Sequence, residues 1–406
     1  MMLTALAWRN IWRQPVRSIL SLFGLAFSSL LLVFMLSFQF GIYDTMKVGA
    51  LGLLDGFGQF QPVGYDDDPD ISRLLPNWQN LVEATNLEGI DAATPRASSF
   101  AIMASGDISF GAAIIGVDPV TEPRVSTLAS TIIEGRYLQE GDEATIVMGE
   151  GLVRNLGLTL GDNVTMLGTG NDGAVAADVL ELVGIFSTGI SGLDRQITQM
   201  PLARFQDTFN LGDNVNVVAL RGADFGAVVK AAPELAQMAA KEGAVYLRWD
   251  ELQPEVKQMI TLDLSTAMLT YGVMIIVVVF ILLNTLYMSV LERTREFGGL
   301  MAIGMRPTQI GAMVWLELIF LSFLGAGIGI AIGAGITLWV QAVGIEFPGM
   351  DEVFRQWGIS GRVYPDLSLL SAFAGPGVIV ISIVILGLIP YRRILGLEPV
   401  TAMGAA

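Results

Sequence analysis

Four stretches of this chain are long, apolar and almost free of charge, and no other property limits its fold as strongly. They are Ser18–Tyr43, Leu264–Leu291, Pro307–Ile345 and Leu367–Tyr391, and the one charged residue inside them is Glu317. A helix needs about 20 apolar residues to cross the hydrocarbon of a bilayer. Helices buried in soluble cores are usually shorter and capped, so four membrane spans are expected. Composition agrees, with 52% of the 406 residues hydrophobic and 15% charged, a balance soluble domains rarely reach. Arg9, Arg13 and Arg17 precede the first run as they would in a signal peptide. Its apolar part is too long and no small-x-small site follows, so it reads as an uncleaved anchor.

Whole classes of chemistry are excluded by what is missing. With no cysteine and no histidine, the chain offers no disulfide, no thiol, no Cys/His zinc site and no His-based triad. No catalytic residue and no metal site is expected. A net charge of −16 argues against nucleic acid, which selects a basic face. The sequence holds no Gly-Lys dipeptide, so the phosphate-cradling loop G-x-x-x-x-G-K-[ST] is absent. Cofactors are therefore expected to be none in this chain.

Arginine placement sets the orientation. Segments 1–17, 292–306 and 392–406 carry eight arginines against Glu292, Glu296 and Glu398, whereas 44–263 carries 31 acids and 13 basic residues. With four spans, both termini and the middle loop share one side, and the cation excess makes it the cytoplasm. The acidic segment 44–263 and the loop 346–366 then lie outside.

The loop 292–306 crowds Glu292, Arg293, Arg295, Glu296 and Arg306 together. On a helix, Phe297, Leu300, Met301 and Gly304 form one stripe. Glu292/Arg295 and Arg293/Glu296 are i, i+3 pairs on other faces. Gly304 suits the end of that helix and Pro307 the first turn of the next. Two readings stand on these residues alone. A solvated turn uses the charges to stop the spans and fix topology, while a helix that docks a cytoplasmic partner also needs the apolar stripe.

Other features carry weaker signals. Trp8 and Trp12, and likewise Arg9, Arg13 and Arg17, recur every four residues, giving an aromatic and a basic edge suited to the membrane interface. Gly325, Gly329 and Gly333 repeat at the same spacing, which lets helices approach closely. Packing within one subunit is the first reading and a dimer seam the rival. Glu317 is expected near the cytoplasmic edge of its span, snorkelling or capping a neighbour.

Segment 44–263 reads as α/β. Helices are expected over 77–85 and 225–241, with strands over 98–104, 110–117, 216–220 and 244–249. Gly-Asp turns at 141–142 and 161–162 punctuate a β-rich centre. Asp66, Asp67, Asp68 and Asp70 lack EF-hand spacing and read as a solvated acidic loop.

The stretch NTLYMSVLERTREFGGLMAIGMRPTQI (284–310) resembles the second span and following loop of the MacB/FtsX/LolC-LolE permeases, the type VII ABC transporter family. Its carriers are Asn-Thr-x-x-Met, Glu-Arg-x-Arg-Glu-x-Gly and an Ala-x-Gly ending. IPYRRILGLEPVTAMG (389–404) resembles the family's closing segment, and LAWRNIWRQPVRSILSLFGL (6–25) its basic opening one. IIGVDP (114–119), the run 132–166, VLELVGIFSTGISGLDRQITQMPL (179–202) and YLRWDELQPEVKQM (246–259) resemble the MacB-type periplasmic core in order and spacing.

The resemblance implies an α-helical membrane protein with four transmembrane helices (18–43, 264–291, 307–345, 367–391) and a large extracytoplasmic α/β domain between the first two. That domain would comprise a Porter subdomain (about 44–117 and 216–263) around a Sabre subdomain (about 118–215). It implies a permease subunit, not an enzyme, in the bacterial inner membrane. A separate cytoplasmic ATPase dimer would bind ATP and Mg, and a second permease, identical or paralogous, would complete a two-fold assembly. Residues 292–306 become the coupling helix: Phe297, Leu300 and Met301 anchor in the ATPase, and Glu292, Arg293, Arg295, Glu296 and Arg306 set register. ATP-driven motion would pass mechanically to the outer domain. The first functional reading is extraction of a lipoprotein or other hydrophobic substrate, handed to a periplasmic carrier. The others are MacB-like efflux with an adaptor and outer-membrane duct, and FtsX-like control of a cell-wall hydrolase, disfavoured by the large outer domain. Phe27, Leu31, Phe34, Met35, Phe38, Met274 and Ile281 would line an acyl-chain cavity or simply meet membrane lipids.

Overall fold

Unbroken apolar runs closed by caps give the long helices of the computed structural model, which describes residues 2–13, 15–75, 77–349 and 362–396. Most of the loop 346–366 and the tail beyond 396 lie outside the described residues. In chain order the first helices are α1 (Met2–Ile11), α2 (Pro15–Leu53), α3 (Trp78–Val82), α4 (Glu122–Val125), α5 (Glu150–Leu156), α6 (Leu202–Thr208) and α7 (Phe225–Lys241). After them come α8 (Trp249–Leu252), α9 (Pro254–Glu292), α10 (Thr294–Ala302), α11 (Pro307–Val343), α12 (Leu369–Leu386) and α13 (Leu388–Leu395). The chain divides into a helical unit, holding residues up to Tyr43, Ile260–Glu346 and those from Val363, and an α/β unit built on Asp44–Met259.

Among the described residues of the helical unit and its continuations, four helices are long and apolar enough to cross a membrane: Pro15–Leu53, Pro254–Glu292, Pro307–Val343 and Leu369–Leu395. The second begins ten residues before the expected Leu264, because the polar turn that starts it is already helical. Local chemistry fixes the ends. Pro307 opens α11 after an extended Arg306 (φ −74, ψ 143), whose N–H donates to the Gln309 side chain at 3.1 Å. Ser368 caps α12, its hydroxyl accepting from the Ser371 N–H at 3.2 Å, the usual stabilising arrangement for an orphan first-turn amide. The glycine stripe packs α11 on α2 of the same chain. A Cβ at Gly325 would lie 2.6 Å from the Leu25 Cβ, one at Gly329 2.5 Å from the Ser29 Cβ, and one at Gly333 3.1 Å from the Val33 Cβ. Such separations leave no room for a side chain, so the backbones meet.

The strands of the α/β unit are β1 (Gly58–Pro62), β2 (Ile90–Ser105), β3 (Ile108–Val117), β4 (Ile132–Gly135), β5 (Thr145–Gly149), β6 (Asn163–Thr169), β7 (Val175–Phe186), β8 (Ile197–Pro201), β9 (Val217–Gly222) and β10 (Ala244–Arg248). Among the described residues they form one sheet in the order β10-β1-β9-β2-β3-β8-β5-β7-β4, with β6 pairing β2 and β7. The pairs β3–β8 and β5–β7 are parallel. Strands β4 to β8 fall inside the segment 118–215 expected as an insertion, and they extend the same sheet through β8 on β3 and β6 on β2. One face carries Phe60, Ala101, Met103, Ile114 and Val218, in a core with Leu152, Phe205 and Leu235 from α5, α6 and α7. The other carries Ile115, Val117, Val147 and Ile197, covered by Leu128 and Leu138. Asp224 caps α7, accepting from the Ala227 N–H at 2.7 Å. The expected 77–85 helix is shorter: α3 passes into a 3-10 turn at Glu83–Asn86, and Asn77 precedes it in the left-handed region (φ 47).

At the 141–142 turn, where Gly141 has φ +89, Asp142 accepts a two-pronged bond from Arg136 at 2.7 and 2.8 Å and another from the Gln139 N–H at 2.8 Å. The Arg136 guanidinium first, with the backbone amide behind it, holds this carboxyl below its ordinary 3.8. A folded-state value below the unfolded one gives stability that is complete above pH 4 and fades as pH falls through the folded value. Asp142→Asn should therefore flatten the acid limb of a pH–melting curve and leave the neutral region nearly level. An unchanged acid limb would contradict this.

Candidate functional site

The charged loop between the second and third spans is built from three pieces rather than one helix. Glu292 ends α9, Arg293 is the N-cap of α10, and Arg306 is the N-cap of α11. α10 therefore covers Thr294–Ala302, shorter than the expected 292–306, and Gly304 turns the chain at φ +101, a conformation that favours glycine.

The apolar stripe does not face outward, as its expected role as a partner anchor required. Phe297 is 0% exposed and Met301 nearly buried, in a cluster with Ala7 of α1, Val290 of α9, Ile310, Met313 and Val314 of α11, and Ile394 of α13. Leu300 packs on its margin. The stripe holds α10 to the rest of its own unit, because burial of these side chains outweighs any gain from leaving them in water for a partner. Arg295, Ile303 and Arg306 are exposed instead, with Ile303 84% accessible.

Most of the loop's charges are spent inside the chain. Arg293 is nearly buried: its Nη2 donates to the Asn10 Oδ1 at 2.8 Å, its Nη1 to Glu317 at 3.5 Å and its Nε to Glu296 at 3.4 Å. Its guanidinium also lies 5.3 Å from the Phe297 ring centroid. Asn10 closes the ring by donating from Nδ2 to Glu317 Oε2 at 2.7 Å. Glu317 therefore neither snorkels nor caps a helix end; it is the acid that receives Arg293. Arg17 reaches Glu292 at 3.2 Å and donates to the Thr285 carbonyl, and Arg13 lies 3.6 Å from Glu296. Asn10 and Arg17, from the N-terminal segment, were no part of the coupling set expected from sequence. The isolated acid at 317 was the one signal that a buried cation had to exist.

The remaining predicted positions are dispersed. Trp8, Arg9, Trp12 and Arg13 are exposed, but α1 ends at Ile11, so the four-residue ladder is not one helix. Trp8 rests edge-on against Phe320 of α11, centroids 5.9 Å apart. Phe27 and Met35 lie on the exposed side of α2, Leu31, Phe34 and Phe38 are half-buried, and the Phe34 and Phe38 rings stack at 6.1 Å. Met274 packs against the cluster of Leu25, Leu32 and Val279. These do not converge on one cavity; Ile281 alone among the seven lines a pocket found between α2 and α9.

Four spans, an α/β domain between the first and second, and a charged loop before the third define a multi-pass membrane protein with an extracytoplasmic domain. The description "MacB-like periplasmic core domain" matches residues 18–242 and "FtsX-like permease C-terminal" matches 268–399. The chain belongs to this family: it is an ABC-transporter permease of the MacB/FtsX/LolC type. It is 25% identical over 328 residues to the lipoprotein-releasing system transmembrane protein LolC of Neisseria meningitidis serogroup B, covering 78% of this chain and 76% of that one. To the pyoverdine export ATP-binding/permease protein PvdT of Pseudomonas fluorescens it is 23% identical over 420 residues, 98% of this chain and 58% of PvdT. The periplasmic region of MacB from Actinobacillus actinomycetemcomitans superposes with a TM-score of 0.36 at 17% identity, over 50% of this chain and 93% of that one. The chain spans less than two thirds of the ATP-binding/permease relative PvdT.

Proposed function

We propose that this chain is the membrane half of a transporter whose ATPase is a separate cytoplasmic dimer, binding ATP and Mg, and that it passes the ATPase's motion to the extracytoplasmic domain. The observation that carries this reading is the exposed tip of the loop. Ile303, Arg295 and Arg306 are presented outward, while Phe297 and Met301 fasten α10 from behind. An exposed apolar residue flanked by arginines suits docking better than a simple turn, and the rigid backing lets a push on the tip move α9 and α11. The arginine distribution supports placing both termini and this loop in the cytoplasm, with the chain in a bacterial inner membrane and a second permease completing the two-fold arrangement. Similarity to LolC over 76% of its length favours a lipoprotein or another hydrophobic molecule as substrate.

The test is co-purification of the full chain with its ABC ATPase. Ile303→Asp combined with Arg295→Glu should weaken the complex by about 30-fold, the loss of one interface hot spot, while elution as a folded permease is retained. Equal recovery of the ATPase with wild type and variant would reduce the loop to a topological turn. Phe297→Asp is the wrong probe, since it would place a charge in the chain's own core.

A further inference from the structure

Two voids meet between α2 and α9, at the end of the spans that carries Arg13 and Arg17. The first is a small polar basket of about 30 Å³, lined by Arg13, Arg17, Arg293, Glu296 and Glu317 among others. The second is an apolar slot of about 160 Å³ lined by Leu20, Gly24, Ser28, Ile281, Leu282 and Thr285. Ser21 borders both, so the two adjoin at that side chain. The slot's residues on α2 lie two to ten positions beyond Ser18, where the apolar run begins, about 3–15 Å along the helix axis at 1.5 Å per residue. That is the depth of one leaflet's hydrocarbon, half of about 30 Å.

Two of the slot's hydroxyls are satisfied by their own helices. Ser28 Oγ donates back to the Gly24 carbonyl at 2.7 Å and Thr285 Oγ1 to the Ile281 carbonyl at 2.9 Å. Water would find few partners there, whereas a saturated chain would meet mostly apolar wall. Gly24 keeps the slot open, since a Cβ built on it meets nothing within 4 Å. At the mouth, charges of both signs are accessible. Arg13 is 69% and Glu296 44% exposed at 3.6 Å from each other; beside them Arg17, 24% exposed and also bonded to the Thr285 carbonyl, lies 3.2 Å from the more exposed Glu292. The exposed Arg13–Glu296 pair is weak and yields readily to a ligand that satisfies both partners.

We propose that this groove holds one phosphatidylethanolamine molecule of the adjoining leaflet, with an acyl chain in the slot, its phosphate on Arg13 and Arg17, and its ammonium on Glu296. The alternation of cation and anion at the mouth fits a zwitterionic headgroup with a primary ammonium better than phosphatidylglycerol, which offers Glu296 no cation. Bound there, the lipid fills the gap between the first and second spans directly above the Arg293 network.

Native mass spectrometry of the full-length protein tests this, after delipidation and incubation with equal amounts of phosphatidylethanolamine and phosphatidylglycerol of the same acyl chains. Wild type should retain one lipid, with ethanolamine favoured by about threefold, the scale of a part-exposed ion pair. Gly24→Leu, which fills the slot from α2, and Ile281→Trp, which fills it from α9, should each abolish the adduct while circular dichroism stays that of wild type. Glu296→Gln should keep the adduct and erase the headgroup preference. The proposal is overturned by equal retention of the two lipids in wild type, by an adduct that survives both slot-filling variants, or by no retained lipid at all. The last result would point to a second permease covering this face.

Discussion

Glu122→Gln should lower the unfolding free energy of the α/β unit by about 3–5 kcal/mol, the loss typical when one partner of a buried ion pair is removed. Glu122 is 0% and Arg96 5% exposed. Arg96 donates from Nε to Glu122 Oε2 and from Nη2 to Oε1, both at 2.8 Å, and its Nη1 donates to the Leu54 carbonyl. Glutamine can accept one of those bonds but cannot neutralise the guanidinium, and little solvent reaches it. Hydrogen exchange of the β2 amides in the full chain measures the change. Arg96→Met with Glu122→Leu should recover most of it, because the apolar pair removes the stranded charge. A loss below about 1 kcal/mol for Glu122→Gln would show that the pair is hydrated in solution, as exposed pairs are.

Arg96 and Glu122 also mark where sequence reading stops. They lie 26 residues apart, one in β2 and the other opening the four-residue α4, and nothing local announces the pairing. The spans, in contrast, were legible from hydropathy alone, since a bilayer-crossing helix must be apolar throughout. Segment 225–241 was legible as a helix too, and the structure starts it at Phe225 with Asp224 as its cap. β6 and β7 alternate buried and exposed residues along most of their length, the period-two signature of a strand with one wet face. β8 is buried at every position and carries no such period. Its place between β3 and β5, parallel to the first and antiparallel to the second, depends on non-local pairing that a linear pattern does not encode.

The loop at 292–306 shows the same division at the scale of a site. Its charges and its stripe were both visible, and helical periodicity says that Phe297 and Met301 share a face. Periodicity is silent on what covers that face. The structure covers it with Ala7, nearly 300 residues earlier in the chain, and Ile394, near the end of the described residues. The outward residue, Ile303, lies beyond the last turn of α10, where a stripe argument gives it no direction at all. Tertiary context decides which half of an amphipathic segment meets a partner.

Glu317→Leu should release the N-terminal helix at a cost of about 3–5 kcal/mol, again the scale of a broken buried pair. Glu317 and Arg293 have side chains only 15% and 10% exposed, and Asn10 bonds to both. Removing the carboxylate leaves Arg293 with Glu296, as near at 3.4 Å but 44% exposed and so weaker as a partner, and leaves the Asn10 amide without the acceptor it had in Glu317. α1 keeps its apolar hold through Ala7 and Ile11, so the chain should still insert and fold. What should change is order: hydrogen exchange over Met2–Ile11 should quicken sharply, and α10, backed by the same cluster, should follow. Arg293→Met placed on Glu317→Leu should restore much of the protection by removing the stranded cation. Unaltered exchange in α1 after Glu317→Leu would mean that apolar packing alone positions this segment. Failure of the double variant to recover protection would instead locate the strength of the network in what Arg293 keeps after the first substitution, its bonds to Asn10 and Glu296 and its contact with Phe297.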